Sequence, residues 1–431
     1  MSKKLGLALS GGGYRAAAFH LGTLKKLNEL NVLNKVDVIS SISGGSIIGA
    51  YYCTETRVFS DFEKTLKEKL ENKNVIGYVL MSWSFIRILF LLLILLAGNT
   101  YLLFTSYAWT SIFTTPIILF LLIKYQFKIF PISKEIEKAY DNFFYNKKNL
   151  SDLIDRPELA IGSTNVQSCR PFTFSKRKME DSFYAYMEPP IKFKNNDFPI
   201  SRAVVASSCV PFAFSPVSID KSFFKDPKDF ERVTPILIDG GVYDNQGIQK
   251  ITQKGSSYEC DIIITSDAGN KLPFSNFYNN TFVLLLRTVE VFMARIKNFQ
   301  MAQNIYTNAN YNKKEVAYLS LGWDIESCIP GFFDNILKGN ITTEVIESHK
   351  IPSDWLASPL EYKEKIISQL EYNVDYSKIE MQKLNNEELK IARNVSTNLS
   401  CLSDKQIDYL IRFAENMTEL QVKLYCPSLI N

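Results

Sequence analysis

Two glycine-rich turns about thirty residues apart hold the residues best suited to chemistry. The first is Ser10-Gly11-Gly12-Gly13-Tyr14-Arg15, and the second is Ser41-Ile42-Ser43-Gly44-Gly45. Ser43 sits between small residues at a point where an apolar run gives way to a helical pattern. That spacing follows the nucleophile elbow G-x-S-x-G, with serine in place of the first glycine. Gly44 offers a backbone N–H beside the serine, suited to a tetrahedral oxyanion. Three consecutive glycines let Gly11, Gly12 and Gly13 turn their N–H groups toward one point at a helix N-terminus. No Gly-Lys-Ser/Thr follows them, and the G-x-G-x-x-G spacing is absent, so phosphate and dinucleotide loops do not fit. An oxyanion loop beside a serine nucleophile implies acyl chemistry. A serine among small residues is also common in ordinary turns. Arg15, in the first helical turn, either pins the loop or faces an anionic head group.

A serine nucleophile needs a base. The chain has two histidines. His20 lies mid-helix and reads as a packed residue. His349 lies in a polar helical stretch and reads as a surface residue. Asp239 is the remaining candidate. It closes the apolar run Pro235–Ile238 and precedes Gly240-Gly241. A carboxylate at the C-terminal end of a parallel strand stands where such sheets place ligands, and partial burial would raise its pKa toward a useful base. Taken alone, Asp239-Gly240 also fits a plain Asp-Gly turn.

The elements that must carry these residues follow from periodicity. Residues 4–10 and 36–42 read as buried strands. Residues 15–30 and 45–54 read as helices, the first with Ala17, Leu21, Leu24 and Leu27 on one stripe. Leu159–Ser163, Pro235–Ile238 and Asp261–Ser266 are further strand candidates, and Ser201–Ser208 reads as a helix. The alternation predicts an α/β fold with a mainly parallel sheet covered on both faces. Thr281–Lys297 and Asp404–Leu424 read as helices, and Asn310–Lys314 and Asn373–Asn386 as polar connections.

From Tyr78 to Ile123 the only charge is Arg87. Gly98-Asn99-Thr100 divides this stretch into Tyr78–Ala97 and Tyr101–Ile123, each long enough to span about 30 Å of hydrocarbon. Lysines flank both ends: Lys64, Lys67, Lys69 and Lys73 before, Lys124, Lys128, Lys134 and Lys138 after. That bias puts both ends on the cytoplasmic side. The strands before and after belong to one sheet, so an even number of crossings is required. Arg87 at mid-span would cost about 2.5–3.5 kcal/mol. A first span starting at Ile88 avoids this and moves the turn toward Thr114-Thr115-Pro116. The alternative is a buried helical hairpin serving as a lid or an oligomer contact.

Composition narrows the rest. A net charge of +4 gives no footprint for nucleic acid. The seven cysteines are scattered, with no CxxC pair, which argues against a zinc site or a disulfide framework and fits a reducing, cytoplasm-facing environment. The short apolar run after Lys3-Lys4 is not a signal peptide.

Ser10-Gly-Gly-Gly-Tyr-Arg15, Ser41-Ile-Ser-Gly-Gly45 and Asp239-Gly-Gly241, in that order, resemble the motif set of patatin-like phospholipases. Ala203–Phe212 also resembles the family's small-residue helix before a proline. The likeness covers residues 4–56 and about 155–270. It implies a three-layer patatin-like fold and a Ser–Asp dyad without histidine: Ser43 as nucleophile, Asp239 as base, and Gly11, Gly12, Gly13 and Gly44 as the oxyanion site. Arg15, Gly45, Gly240 and Gly241 would support them. No metal or cofactor is implied. Ser10 and Ser41 depart from the family's usual aspartate and glycine.

The expected organisation is a first core part over 1–75, a transmembrane hairpin over 76–130, a second core part over 131–290, and a mostly helical region over 291–431. The expected activity is hydrolysis of fatty-acyl esters of phospholipids at a membrane. The partners are an acyl lipid and the bilayer, with self-association compatible with the hairpin. A lipid transacylase and a non-catalytic lipid-binding scaffold share the same residues.

Overall fold

The computed structural model describes residues 3–54, 58–270, 279–307 and 313–430. Short β-rich runs of Leu, Ile and Val form the centre. β1 (Leu5–Leu9), β2 (Val38–Ile42) and β3 (Glu158–Asn165) run parallel, and β8 (Ile262–Asp267) and β9 (Glu315–Ser320) extend the parallel set on the far side of β1. β4 (Arg170–Phe174) and β5 (Met179–Asp181) finish the other edge antiparallel. β6 (Val217–Ser218) and β7 (Ile236–Asp239) form a short antiparallel pair, and β7 also pairs antiparallel with β3. The sheet order is β5-β4-β3-β2-β1-β8-β9.

Successive side chains on each strand face opposite layers, and the packing divides accordingly. Leu5, Leu7 and Leu9 join the large core with Ile39 and Ile264, whereas Ala8, Val38 and Ile263 join a smaller one on the other face. The large face is covered by α1 (Gly13–Glu29), α2 (Gly44–Cys53) and the long C-terminal helix Asp404–Tyr425. α1 and the C-terminal helix approach closely at Gly22, where an added Cβ would lie 2.3 Å from the Ile411 carbonyl oxygen. The C-terminal third is therefore built into the core, through this helix and through β9.

After α3 (Phe59–Asn72) and α4 (Val75–Leu80), the chain leaves the core as two helices, α5 (Trp83–Leu102) and α6 (Ser111–Ile129), and returns through α7 (Ile132–Tyr140). No residue of α5 is buried, and only Ser111 is buried in α6. By length and composition both are apolar enough to cross a bilayer. The turn falls at 103–110 and not at Gly98-Asn99-Thr100. Gly98 stays helical because one interior glycine costs only about 1 kcal/mol, which a continuous apolar helix absorbs. Asn99 has a specific use. Its amide donates to Thr115 Oγ1 at 2.7 Å, and its carbonyl accepts from Thr114 Oγ1 at 2.7 Å, which pairs the polar groups of the two helices.

Two other expectations change. Tyr376–Gln382 is a helix within the stretch expected to be a polar connection. His349 is buried, with Nε2 on the Leu424 carbonyl at 2.8 Å and its ring against Phe332, because the C-terminal helices form a packed layer. Asn310–Lys314 lies largely outside the described residues.

Candidate active site

The site is assembled along one edge of β3. β2 runs beside β3 as far as Ile42, which is in register with Gly162. β7 comes from the opposite direction along the same edge and ends with Asp239 in register with Ser163. The two strands meet C-terminus to C-terminus, and the next residue after β2 is Ser43. Asp239 thus ends a strand antiparallel to its neighbour, not the parallel strand expected from sequence. The Ser43 side chain comes close enough to the Asp239 carboxylate to act on its pKa.

Ser43 has φ 49° and ψ −116°, a conformation that L-residues rarely adopt. Packing on three sides holds it. The Ser43 N–H donates to Ser207 Oγ at 2.9 Å, and Ser207 Oγ donates to the Gly162 carbonyl at 2.6 Å. The Gly45 N–H donates to the Ser10 carbonyl at 3.0 Å, and a Cβ on Gly45 would lie 2.3 Å from the Leu9 carbonyl oxygen. This close strand–helix approach is what the elbow requires of a glycine. Ser41 fits without disturbing the turn. It is buried and its hydroxyl accepts from Ser46 Oγ at 3.1 Å, so the missing glycine is replaced by a satisfied polar contact.

The glycine loop lies against the elbow, since a Cβ on Gly44 would sit 2.2 Å from the Gly13 carbonyl oxygen. Gly12 (φ 139°) and Gly13 (φ 58°) both occupy the left-handed region. Gly11 departs from the role expected of it. Its N–H donates to the Asn245 carbonyl at 2.9 Å, because the segment after Asp239 folds back against the glycine loop. The N–H groups of Gly12, Gly13 and Gly44 have no partner among the described residues. These three remain available to an oxyanion.

Asp239 is 6% exposed. Burial pushes its pKa up to about 6, against the opposing pull of the Gly241 N–H, 2.6 Å from Oδ1, and of the Ser43 hydroxyl. Its backbone is fixed on both sides: the N–H donates to the Cys209 carbonyl at 3.0 Å, and the carbonyl accepts from Thr164 Oγ1 at 2.9 Å. Gly240 touches Gly162 too closely for a side chain. His20 is fully buried between Ser266 Oγ and the Ser10 carbonyl, and burial lowers its pKa to about 4.

A segment with no local signature, residues 393–399, completes the loop. Tyr14 N–H donates to the Asn398 carbonyl at 2.9 Å, and Arg15 Nη1 donates to the Val395 carbonyl at 3.1 Å. Arg15 therefore pins the loop to the C-terminal third. Arg393 fastens that segment in turn, donating to the carbonyls of Leu321 and Trp323 and pairing with Asp324. Sequence reasoning missed Ser207, Asn245 and this clamp. Ser207 lies in the small-residue helix Ile200–Ser208, whose composition was its only signal.

The patatin-like phospholipase family model matches residues 7–249, more than half the chain. The chain belongs to the patatin-like phospholipase family. Among solved structures it is similar to VipD from Legionella pneumophila, with 15% identity, 75% of this chain and 61% of that one covered, and a TM-score of 0.31. It is also similar to human GIVD cytosolic phospholipase A2, with 15% identity, 61% and 42% covered, and a TM-score of 0.37. For that enzyme in complex with methyl gamma-linolenyl fluorophosphonate the values are 11% identity, 99% and 58% covered, and 0.47. The chain spans less than two thirds of the length of each. No curated protein sequence matches it. The family match ends well before residues 393–399, although they hold the glycine loop.

A Cβ on Gly13 would lie 2.3 Å from the Asn398 carbonyl oxygen. Gly13→Ala should therefore displace the loop and slow fluorophosphonate labelling of Ser43 by about 100-fold or more, the usual effect of losing an oxyanion donor. The labelling rate, followed beside a thermal melt, checks this.

Proposed function

We propose that this protein is a membrane-attached lipid acyl hydrolase acting through Ser43 and Asp239. Family membership supports the lipid-hydrolase class. The observation that carries the dyad is the register that sets Ser43 beside a buried carboxylate with no cationic partner among the described residues. Asp239 takes the hydroxyl proton as Ser43 Oγ attacks the ester carbonyl of a fatty-acyl chain. The N–H groups of Gly12, Gly13 and Gly44 receive the developing oxyanion. The alcohol leaves with the proton, and water, activated by the same carboxylate, releases the fatty acid from the acyl-enzyme.

The hairpin suits such a substrate. α5 and α6 are antiparallel. Arg87 lies in the second turn of α5, and Lys124 and Lys128 lie near the end of α6, so all three cations fall at the core-proximal end. Arg87 can then extend to the headgroups without crossing hydrocarbon. Trp83 and Tyr125 mark that end, and Tyr101, Tyr107 and Trp109 mark the tip, the two interfaces where amphipathic rings collect. The root adjoins the active site: Tyr14 OH donates to the Lys73 carbonyl at 2.7 Å, and Val75 N–H to the Leu399 carbonyl at 3.1 Å. Anchoring places the site at the lipid surface and makes substrate capture a local event. The lysine bias puts the catalytic domain on the cytoplasmic side.

Three outcomes are expected. Fatty-acid release from phospholipid vesicles should fall by about 10³-fold or more in Ser43→Ala and by about 10²–10⁴-fold in Asp239→Asn; wild-type turnover in either would sink the dyad. The base acts ionised, so kcat/KM should rise with pH to a plateau, with its midpoint at about 6, and fall tenfold per pH unit below that. The protein should sediment with membranes and stay there through an alkaline carbonate wash, whereas release into the supernatant would rule out insertion.

A further inference from the structure

The helix Thr281–Asn304 has two unlike halves. Its C-terminal half is fastened beside the candidate site. Lys297 Nζ pairs with Asp267, which ends β8 next to β1. Gln300 is buried close to the Asp244 carboxylate, five residues beyond Asp239, and Ile305 is buried in the smaller core. Its N-terminal half is apolar and unpacked. None of the described side chains from Thr281 to Phe299 is buried. Leu284 is 53% exposed, Leu285 46%, Val291 52% and Phe292 57%.

The arrangement of these side chains says what can cover them. Leu284-Leu285-Leu286 and Val291-Phe292-Met293 are runs of three consecutive apolar residues. Consecutive helical residues point about 100° apart, so each run covers more than half the circumference. A second helix packed alongside covers one stripe of roughly 100° and would leave the remainder in water. A lipid phase covers all of it. Arg287 and Glu290 pair with each other, and Arg295 is exposed with no ion-pair partner among the described residues, available to lipid phosphate. With Arg287, Glu290, Arg295 and Lys297 in the same helix it does not qualify as a span. It has the composition of an interfacial helix. Its anchor, Asp267, and the hairpin root at Tyr14 and Lys73 both lie at the C-terminal edge of the parallel strands. One bilayer can therefore meet both.

We propose that the N-terminal half of the helix Thr281–Asn304 sinks into the headgroup–acyl boundary of the bilayer that the hairpin enters, forming a second lipid contact beside Asp239. That half, residues 281–292, has a reach of about 18 Å. This inference rests on the membrane reading above. By holding the turn after Asp239 against the lipid, the helix lowers the distance an acyl ester must travel to reach Ser43.

The test uses the full chain and the double variant Leu285→Asp/Phe292→Asp. Fatty-acid release from vesicles of equal phosphatidylcholine and phosphatidylglycerol should fall at least tenfold. Hydrolysis of a monomeric short-chain ester should stay at the wild-type rate, which also reports correct folding. Carbonate-resistant sedimentation should be unchanged, since the hairpin is intact. Full vesicle activity in a carbonate-resistant variant would overturn the helix contact alone. Equal loss on both substrates would overturn it in favour of a role within the fold. A variant that changes oligomeric state in detergent would overturn it in favour of a second copy of the chain. Wild-type protein released by carbonate would instead sink the membrane reading and this proposal with it.

Discussion

Two strand ends share one edge of β3, and the rest of the site depends on that register. Gly162 and Ser163 are adjacent, so the residues opposite them, Ile42 and Asp239, are brought end to end. A one-residue slip in either pairing would turn Asp239 or Ser43 to the other face of the sheet. The same point requires glycine at 240, whose Cβ would lie 2.5 Å from the Gly162 carbonyl oxygen. It also requires the Ser207 hydroxyl, which bridges the Ser43 N–H to that same carbonyl. Ser43 and Asp239 are positioned by backbone, and backbone pairing is less easily displaced than a long side chain.

Burial then sets the chemistry. Asp239 has no cation beside it among the described residues, so desolvation wins and its pKa rises to about 6. Relative to an ordinary aspartate, keeping it ionised at neutral pH costs on the order of 3 kcal/mol of fold stability. The sign is opposite to that of a salt-bridged carboxylate: its protonation favours the folded state, an advantage that is full below about pH 4 and lost as pH rises through 6. Asp267, equally buried, shows the other outcome. Lys297, Tyr318 and the Gly269 N–H hold its pKa below the usual range against the burial penalty. The two carboxylates end different strands of one sheet, and their partners set them apart.

The local features of the site were legible in sequence because each depends on a few contiguous residues. A turn with positive φ needs glycine, and a strained serine needs small neighbours. Gly12, Gly13, Gly45 and Gly240 occupy the tight positions such turns create. Gly11 was misjudged because its N–H partner, Asn245, is more than two hundred residues away. His349 was misjudged for a similar reason, since its polar neighbours in sequence are not its neighbours in space. The hairpin's existence followed from composition, but its turn did not. Gly98 and Asn99 carry strong local turn signals, and helix pairing through Asn99 with Thr114 and Thr115 overrode them.

Sequence alone determined the α/β class, the strand–turn–helix units around Ser43 and the glycine loop, and the apolar hairpin. These are set by side-chain period, glycine placement and hydrophobic length, all of them short-range. Tertiary structure decided that β7 runs antiparallel, that Ser43 and Asp239 stand at adjoining strand ends, and that burial raises the carboxylate's pKa. It also decided that residues 393–399 and β9, outside the matched family region, complete the loop and the sheet. Those facts depend on which chain segments exclude water from one another, and pairing across hundreds of residues leaves no periodic trace in a single sequence.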